Sequence, residues 1–188
     1  MKTKTFANNR YTVLSILVLV LAAGWIWVTR VPAGRATSGD ISAPRTGFQA
    51  PGFSLDSSSG EIITLSEQND KIILVNFWAS WCPPCRAEMP AIQQVYQDYK
   101  DDGLVVLGIN ATNQDDITAV KSFVAENQLS FPILFDRDGE VSRQYNLHAL
   151  PTSYFIDQDG IIQDVVVGGP MAEALLRTRV ERLLEGLK

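Results

Sequence analysis

Cys82 and Cys85 are the only two cysteines in a chain of 188 residues, and they stand two residues apart in Trp81-Cys82-Pro83-Pro84-Cys85. The apolar run Ile72-Ile73-Leu74-Val75-Asn76-Phe77-Trp78 lies just before them, so the pair falls where a strand gives way to a helix. Thiols at this spacing can close a small reversible disulfide, and a helix N-terminus stabilises the thiolate of the first. A helical start puts Cys82 at the opening of the first turn and Cys85 three residues further in, so one sulfur can face solvent while the other is shielded. A structural zinc site would need four ligands, whereas the chain offers two Cys and one distant His, His148. A purely structural bridge across so short a loop would remove little denatured-state entropy. Short or strained bridges tend to be the labile, catalytic ones.

The elements that must position this pair can be read from periodicity. Phe53 to Leu55 and Glu61 to Leu65 flank the turn cluster Asp56-Ser57-Ser58-Ser59-Gly60 and read as a pair of short strands. Ile72 to Phe77 is a strand buried on both faces. From Pro83 to about Tyr99 the apolar positions Met89, Ile92, Val95, Tyr96 and Tyr99 keep helical spacing, with Pro90 expected to kink the helix. Leu104 to Ile109 is the next buried strand, and Asp115 or Asp116 caps a helix through Ile117, Val120, Phe123 and Val124. Phe131 to Phe135 is a strand and Glu140 to Tyr145 a short helix. Thr152 to Ile156 and Ile161 to Val167 are strands joined by Asp157-Gln158-Asp159-Gly160, and Met171 to Leu187 is a closing amphipathic helix. This order predicts an α/β sandwich with a central mixed sheet flanked by helices.

A separate N-terminal piece precedes that domain. Tyr11 to Thr29 is an uncharged run dominated by Leu, Val and Ile, and at about 1.5 Å per residue it just spans a bilayer core of about 30 Å. Trp25 and Trp27 sit near its far end, as interfacial anchors would. A cleaved signal peptide ending near Val31-Pro32-Ala33 and a buried core helix are the competing readings, but the run exceeds a usual signal core of about 7–15 residues. The expected organisation is a cytoplasmic tail at residues 1–10, a transmembrane signal anchor at 11–29, a flexible linker at 30–49 rich in Gly, Pro, Ser, Thr and Ala, and the α/β domain at 50–188. Positive charges tie across the span, so orientation rests on the export role of a short tail followed by an apolar run. It places the domain outside the cytoplasm on a single-pass cell-membrane protein.

Residues 46–188 carry ten Lys/Arg against twenty Asp/Glu, a formal net charge of −10. That argues against nucleic-acid binding. No cofactor and no metal are expected, and the domain is read as a monomer.

The segment from Ile73 to Pro90, with Trp-Cys-Pro-Pro-Cys at its centre, resembles the active-site segment of the thioredoxin superfamily. More narrowly, it resembles that superfamily's membrane-tethered extracytoplasmic branch of thiol-disulfide oxidoreductases, which includes cytochrome c maturation and spore-related proteins. The likeness runs from about Ala50 to the C-terminus and takes in Leu150-Pro151-Thr152 and Phe155-Ile156-Asp157. It implies a thioredoxin-like fold in which Cys82 attacks a partner disulfide and Cys85 resolves the mixed disulfide. Pro151 matches the family's cis-proline, which leaves the preceding backbone at Leu150 free to pair with a partner chain. Asn76 stands where thioredoxin has a buried carboxylate. Glu88, one turn after Cys85 on the same face, matches a glutamate thought to assist proton transfer in the tethered branch; the competing reading is an exposed helix glutamate beside Arg86.

Other residues near the motif read more plainly. Trp78 belongs to the core, Trp81 covers the disulfide, and His148 is an exposed histidine without a partner to tune it. Pro83-Pro84 supplies no cation for a thiolate, which implies an intermediate reduction potential. The resemblance implies protein disulfides or dithiols as substrates, such as apocytochrome c haem-attachment cysteines, with the pair kept reduced by a transmembrane thiol carrier. Two alternatives share the fold. A peroxiredoxin-type thiol peroxidase would want a threonine where Ala79 stands, and a copper(I)-delivery protein would want a wider cysteine spacing and a late histidine.

Overall fold

Alternation along a single strand divides the interior into two cores. The computed structural model describes residues 13–22, 25 and 42–186, and its central strand, β3 (Ile72–Trp78), is buried at all seven positions. Ile72, Leu74 and Trp78 face one core and Ile73, Val75 and Phe77 the other, as the two-residue period of a strand requires. Asn76 is the one polar residue in that run, and the same period turns it to the side of Leu74 and Trp78.

The other elements follow in chain order. β1 (Ser54–Asp56) and β2 (Ile62–Thr64) form a two-stranded antiparallel sheet before β3. After it come α1 (Pro83–Tyr99), β4 (Leu104–Asn110), α2 (Ile117–Glu126), β5 (Ile133–Phe135), α3 (Glu140–Gln144), β6 (Thr152–Ile156), β7 (Ile162–Val167) and α4 (Glu173–Glu185). The main sheet runs β5-β4-β3-β6-β7. β3, β4 and β5 are parallel, and β6 and β7 are each antiparallel to their neighbours. This is the mixed-sheet α/β sandwich that the sequence implies. Met89, Ile92 and Val95 of α1 share the first core with Leu176 and Val180 of α4, and Phe53, Tyr145 and Tyr154 fill the second.

Local chemistry explains the turns that hold these elements in register. The β6–β7 hairpin closes on Asp157, whose Oδ1 accepts the backbone N–H groups of Asp159 and Ile161. Gly160 there takes a φ of 77°, open to glycine at little cost. α1 continues unbroken through Pro90.

Residues 42–49 are part of the folded domain rather than of a free linker. Gly47 donates its N–H to the Ile162 carbonyl at 2.8 Å, and Ile162 returns one to Phe48 at 2.9 Å. The expected linker at 30–49 is thus fastened to β7 at its end, while residues 30–41 lie outside the described residues.

The chain divides into two units, Met1–Ala36 and Thr37–Lys188. In the first, residues 13–22 are helical with exposed side chains. The expected span at 11–29 falls partly outside the described residues, and among those described no helix is long and apolar enough to cross a membrane.

Candidate active site

β3 ends at Trp78, and four residues later α1 begins at its cap, Cys82. Cys82 and Cys85 are joined in a disulfide with their Cα atoms 5.3 Å apart. Cys82 is the N-cap residue, and its Sγ accepts the Cys85 N–H at 3.3 Å. Pro83 and Pro84 fill the first two helical positions, where a missing N–H leaves no broken helical bond. They also remove two donors that would otherwise face the cap, so the Cys85 N–H is the nearest helical donor left to the Cys82 sulfur. Cys82 retains 3 % of its surface and Cys85 none. The asymmetry expected from spacing is present, though even the outer sulfur shows only an edge.

The buried stripe of α1 contains Cys85, Glu88, Met89 and Ile92, an i, i+3, i+4, i+7 pattern. Glu88 therefore points inward and is 1 % exposed, which corrects the alternative of a solvent-facing glutamate beside Arg86. Arg86 itself is exposed, donates to the Ser80 carbonyl at 3.1 Å and stacks over Phe123. Glu88 Oε1 accepts from Asn76 Nδ2 at 2.8 Å, and Glu88 Oε2 accepts the backbone N–H of Met171 at 3.0 Å. Asn76 Nδ2 also donates to Ser153 Oγ at 2.9 Å.

Burial raises the Glu88 pKa above its ordinary 4.5, and the bonds from Met171 and Asn76 offset only part of that. A buried acid that holds its proton more tightly than the unfolded chain does weakens the fold once ionised. That cost is lifted as pH falls through the folded pKa and changes no further below 4.5. Glu88→Gln is expected to abolish this dependence: urea unfolding at a series of pH values would show the wild type gaining stability relative to the variant between neutrality and pH 4.5, and parallel curves would contradict it.

Pro151 lies beside the same carboxylate. The Leu150-Pro151 peptide is cis, as the resemblance implies, and so is Gly169-Pro170, which the sequence did not suggest. The Pro151 carbonyl accepts the Gly168 N–H at 2.8 Å. A Cβ on Gly169 would lie 2.6 Å from Pro151 Cγ and 2.8 Å from Glu88 Oε2, so the absence of a side chain there lets the two approach.

A second cluster, missed from sequence, braces the loop that carries Cys82. Asp115 accepts the Ser80 N–H at 2.6 Å, the Ser80 hydroxyl at 2.5 Å, Asn110 Nδ2 at 2.8 Å and the Asp116 N–H at 2.9 Å. Four donors fill its acceptor sites, so it acts as a tie rather than a base. The expected helix cap is Asp116, which accepts from Ala119 N–H. The only signal in the sequence was the doubled Asp115-Asp116, where one cap would have sufficed.

Trp78 is wholly buried and Trp81 is 54 % exposed, its indole N–H given to the Gln114 carbonyl at 2.8 Å. A groove of about 400 Å³ runs past Cys82, lined by Trp81, Gln114, Leu147, His148 and Leu150 among others. His148 is exposed, as expected, but it borders this groove. No carboxylate, lysine or arginine lines it, although the domain around it is acidic. Among the described residues no group of three or more His, Cys, Asp or Glu could hold a metal ion.

Comparison with known proteins places this geometry among relatives. Residues 46–165 match the model of the AhpC/TSA family. The chain is 43 % identical to the thioredoxin-like protein YneN of Bacillus subtilis over 123 residues, covering 65 % of this chain and 71 % of that protein. It is 33 % identical to the thiol-disulfide oxidoreductase ResA of Oceanobacillus iheyensis over 184 residues, or 96 % of this chain and 90 % of the relative. The crystal structure of a thiol:disulfide interchange protein of the thioredoxin family from Chlorobium tepidum superposes with a TM-score of 0.67 at 29 % identity, covering 77 % of this chain and 99 % of that one.

Proposed function

We propose, for a chain that belongs to the AhpC/TSA family and is a thiol-disulfide oxidoreductase with a thioredoxin-like fold, that it reduces disulfides of exported proteins from a membrane tether outside the cytoplasm. The observation that carries this reading is the unequal placement of the two sulfurs, Cys82 at the groove and Cys85 sealed beneath it.

The cycle begins from the dithiol. The Cys82 thiolate attacks one sulfur of a partner disulfide, forming a Cys82-partner bond and releasing the partner's other sulfur as a thiolate. Cys85 then loses its proton and attacks Cys82 Sγ, which closes the Cys82-Cys85 disulfide and releases the second partner sulfur. Two electrons pass to the partner, which ends as a dithiol. Glu88, one helical turn from Cys85, takes the Cys85 proton; burial raises its pKa, which makes it a stronger proton acceptor than an exposed glutamate. Pro151, through the cis bond, presents the Leu150 backbone to the partner strand. A membrane thiol carrier restores the dithiol, and the groove, lined by no carboxylate, lysine or arginine, accepts apolar segments flanking a partner cysteine, of which apocytochrome c is one candidate.

The test is capture in the native host. Cys85→Ala is expected to leave partners bound through Cys82, visible as higher bands on nonreducing gels that vanish on reduction and are absent from the Cys82→Ala/Cys85→Ala chain. If exported proteins with paired cysteines are not among those captured, this reading is wrong. Rapid peroxide consumption by the reduced wild type, well above that of free cysteine, would favour a peroxidase instead.

A further inference from the structure

Asn76 holds its amide in a way that Glu88 alone does not explain. Both donors of Nδ2 are used, one on Glu88 Oε1 and one on Ser153 Oγ, while Oδ1 is buried with no hydrogen-bond partner. Buried amide oxygens are seldom left so, because the unmade bond costs about 1–3 kcal/mol. The two ends of an amide have nearly the same shape, so half a turn about its last torsion would exchange donor for acceptor with little change in packing.

We propose that Asn76 and Ser153 are positioning residues for the proton transfer at Glu88: Ser153 fixes the amide with its N–H toward the ionised carboxylate, and the amide turns to offer Oδ1 when Glu88 takes a proton. This inference rests on the reading of Glu88 as the proton acceptor. In the ionised state Asn76 donates to Glu88 and to Ser153. In the protonated state the Glu88 hydroxyl donates to Oδ1, and the Nδ2–Ser153 Oγ bond is given up, which is how Ser153 weights the balance toward the ionised form. The proton stays on Glu88 once taken; the bond to Glu88 reverses and the bond from Asn76 Nδ2 to Ser153 is lost. Ser153 is placed for this by register, since it pairs directly with Asn76 across β3 and β6, so both side chains stand on the same face of the sheet.

The surroundings leave the amide as the main local control. The groups around the carboxylate are Asn76 from β3, Pro151 at the head of β6, and Gly169 and Met171 ahead of α4. None of them is charged. On α1 itself the neighbouring titratable group is Cys85, bonded to Cys82 in this state.

The experiment follows the Glu88 carboxyl by ¹³C NMR in the oxidised full domain, in wild type, Ser153→Ala and Asn76→Leu. Loss of Ser153 frees the amide to turn, so Glu88 is expected to bind its proton several-fold more tightly. Asn76→Leu removes the donor altogether and is expected to raise the affinity further. Ser153→Ala is the milder change and keeps the test open where Asn76→Leu folds poorly. An unchanged titration in Ser153→Ala overturns the proposal. The pH profile of the second, resolving step is read separately in the same proteins. If the titration moves and that profile does not, Asn76 and Ser153 control Glu88 but Glu88 is not the proton acceptor.

Discussion

Cys82→Ala is expected to reduce disulfide exchange to the uncatalysed background, whereas Cys85→Ala retains the first attack and stops after one equivalent. The two sulfurs are three positions apart, yet they differ in every respect that governs attack. Cys82 caps α1, accepts the Cys85 N–H and reaches the groove. Cys85 lies in the buried stripe of α1 with no exposed surface, so an external disulfide cannot approach it in line. Attack needs a thiolate with access, and Cys82 alone combines access with a helix N-terminal N–H on its sulfur. Single-turnover reaction of each reduced variant with a labelled disulfide peptide separates the halves of the cycle. Cys85→Ala should form a stable mixed disulfide with no turnover, and Cys82→Ala should form none. Rapid mixed-disulfide formation by Cys82→Ala would exchange the roles.

Gly169→Ala is expected to combine a loss of stability of about 1–3 kcal/mol, typical of overpacking a closed interior, with a marked slowing of the resolving step. The added methyl would meet Pro151 Cγ at 2.6 Å and Glu88 Oε2 at 2.8 Å. Neither can swing aside as a long surface side chain would. The proline is held in its ring and by the Gly168 N–H on its carbonyl, and Glu88 is bound at both oxygens. Gly168→Ala is the informative control. It has nothing within 4 Å of its added carbon but a φ of 83°, so its cost is backbone strain of about 1–2 kcal/mol without a clash at the carboxylate. Chemical denaturation should find both variants weakened, and exchange kinetics should find only Gly169→Ala slowed at resolution. Equal slowing in both would locate the effect in the backbone rather than at Glu88.

Much of the fold was legible because its elements announce themselves by period. The doubly buried run at β3, the helical spacing after Pro83 and the Asp-Gly turn before β7 each carried a local signal that the packed chain preserves. Boundaries shifted by a residue or two: the expected strand from Phe131 begins at Ile133, and the expected helix from Met171 begins at Glu173, after an extended N-cap at Ala172. The inward turn of Glu88 was present in the sequence as a place on the Cys85, Met89, Ile92 stripe. Charge made an exposed reading plausible, and only the partners supplied by β3 and the segment before α4 make burial tolerable. Asp115 was not legible as a brace, since its partner Ser80 is 35 positions away and no periodic signal links them. The same holds for the second cis bond, at Gly169-Pro170.

The bonds that serve Glu88 have a consequence for how portable the chemistry is. The cysteine motif occupies five consecutive residues, but the groups that would manage its proton come from β3, β6 and the approach to α4, with contacts spanning 77 and 83 positions of chain. Grafting Trp81 to Cys85 onto another helix would transplant the disulfide and leave the bonds that hold the buried Glu88 carboxylate behind. The smallest transferable unit of this oxidoreductase is therefore the five-stranded sheet with α1 and α4, not the motif by which its sequence is recognised.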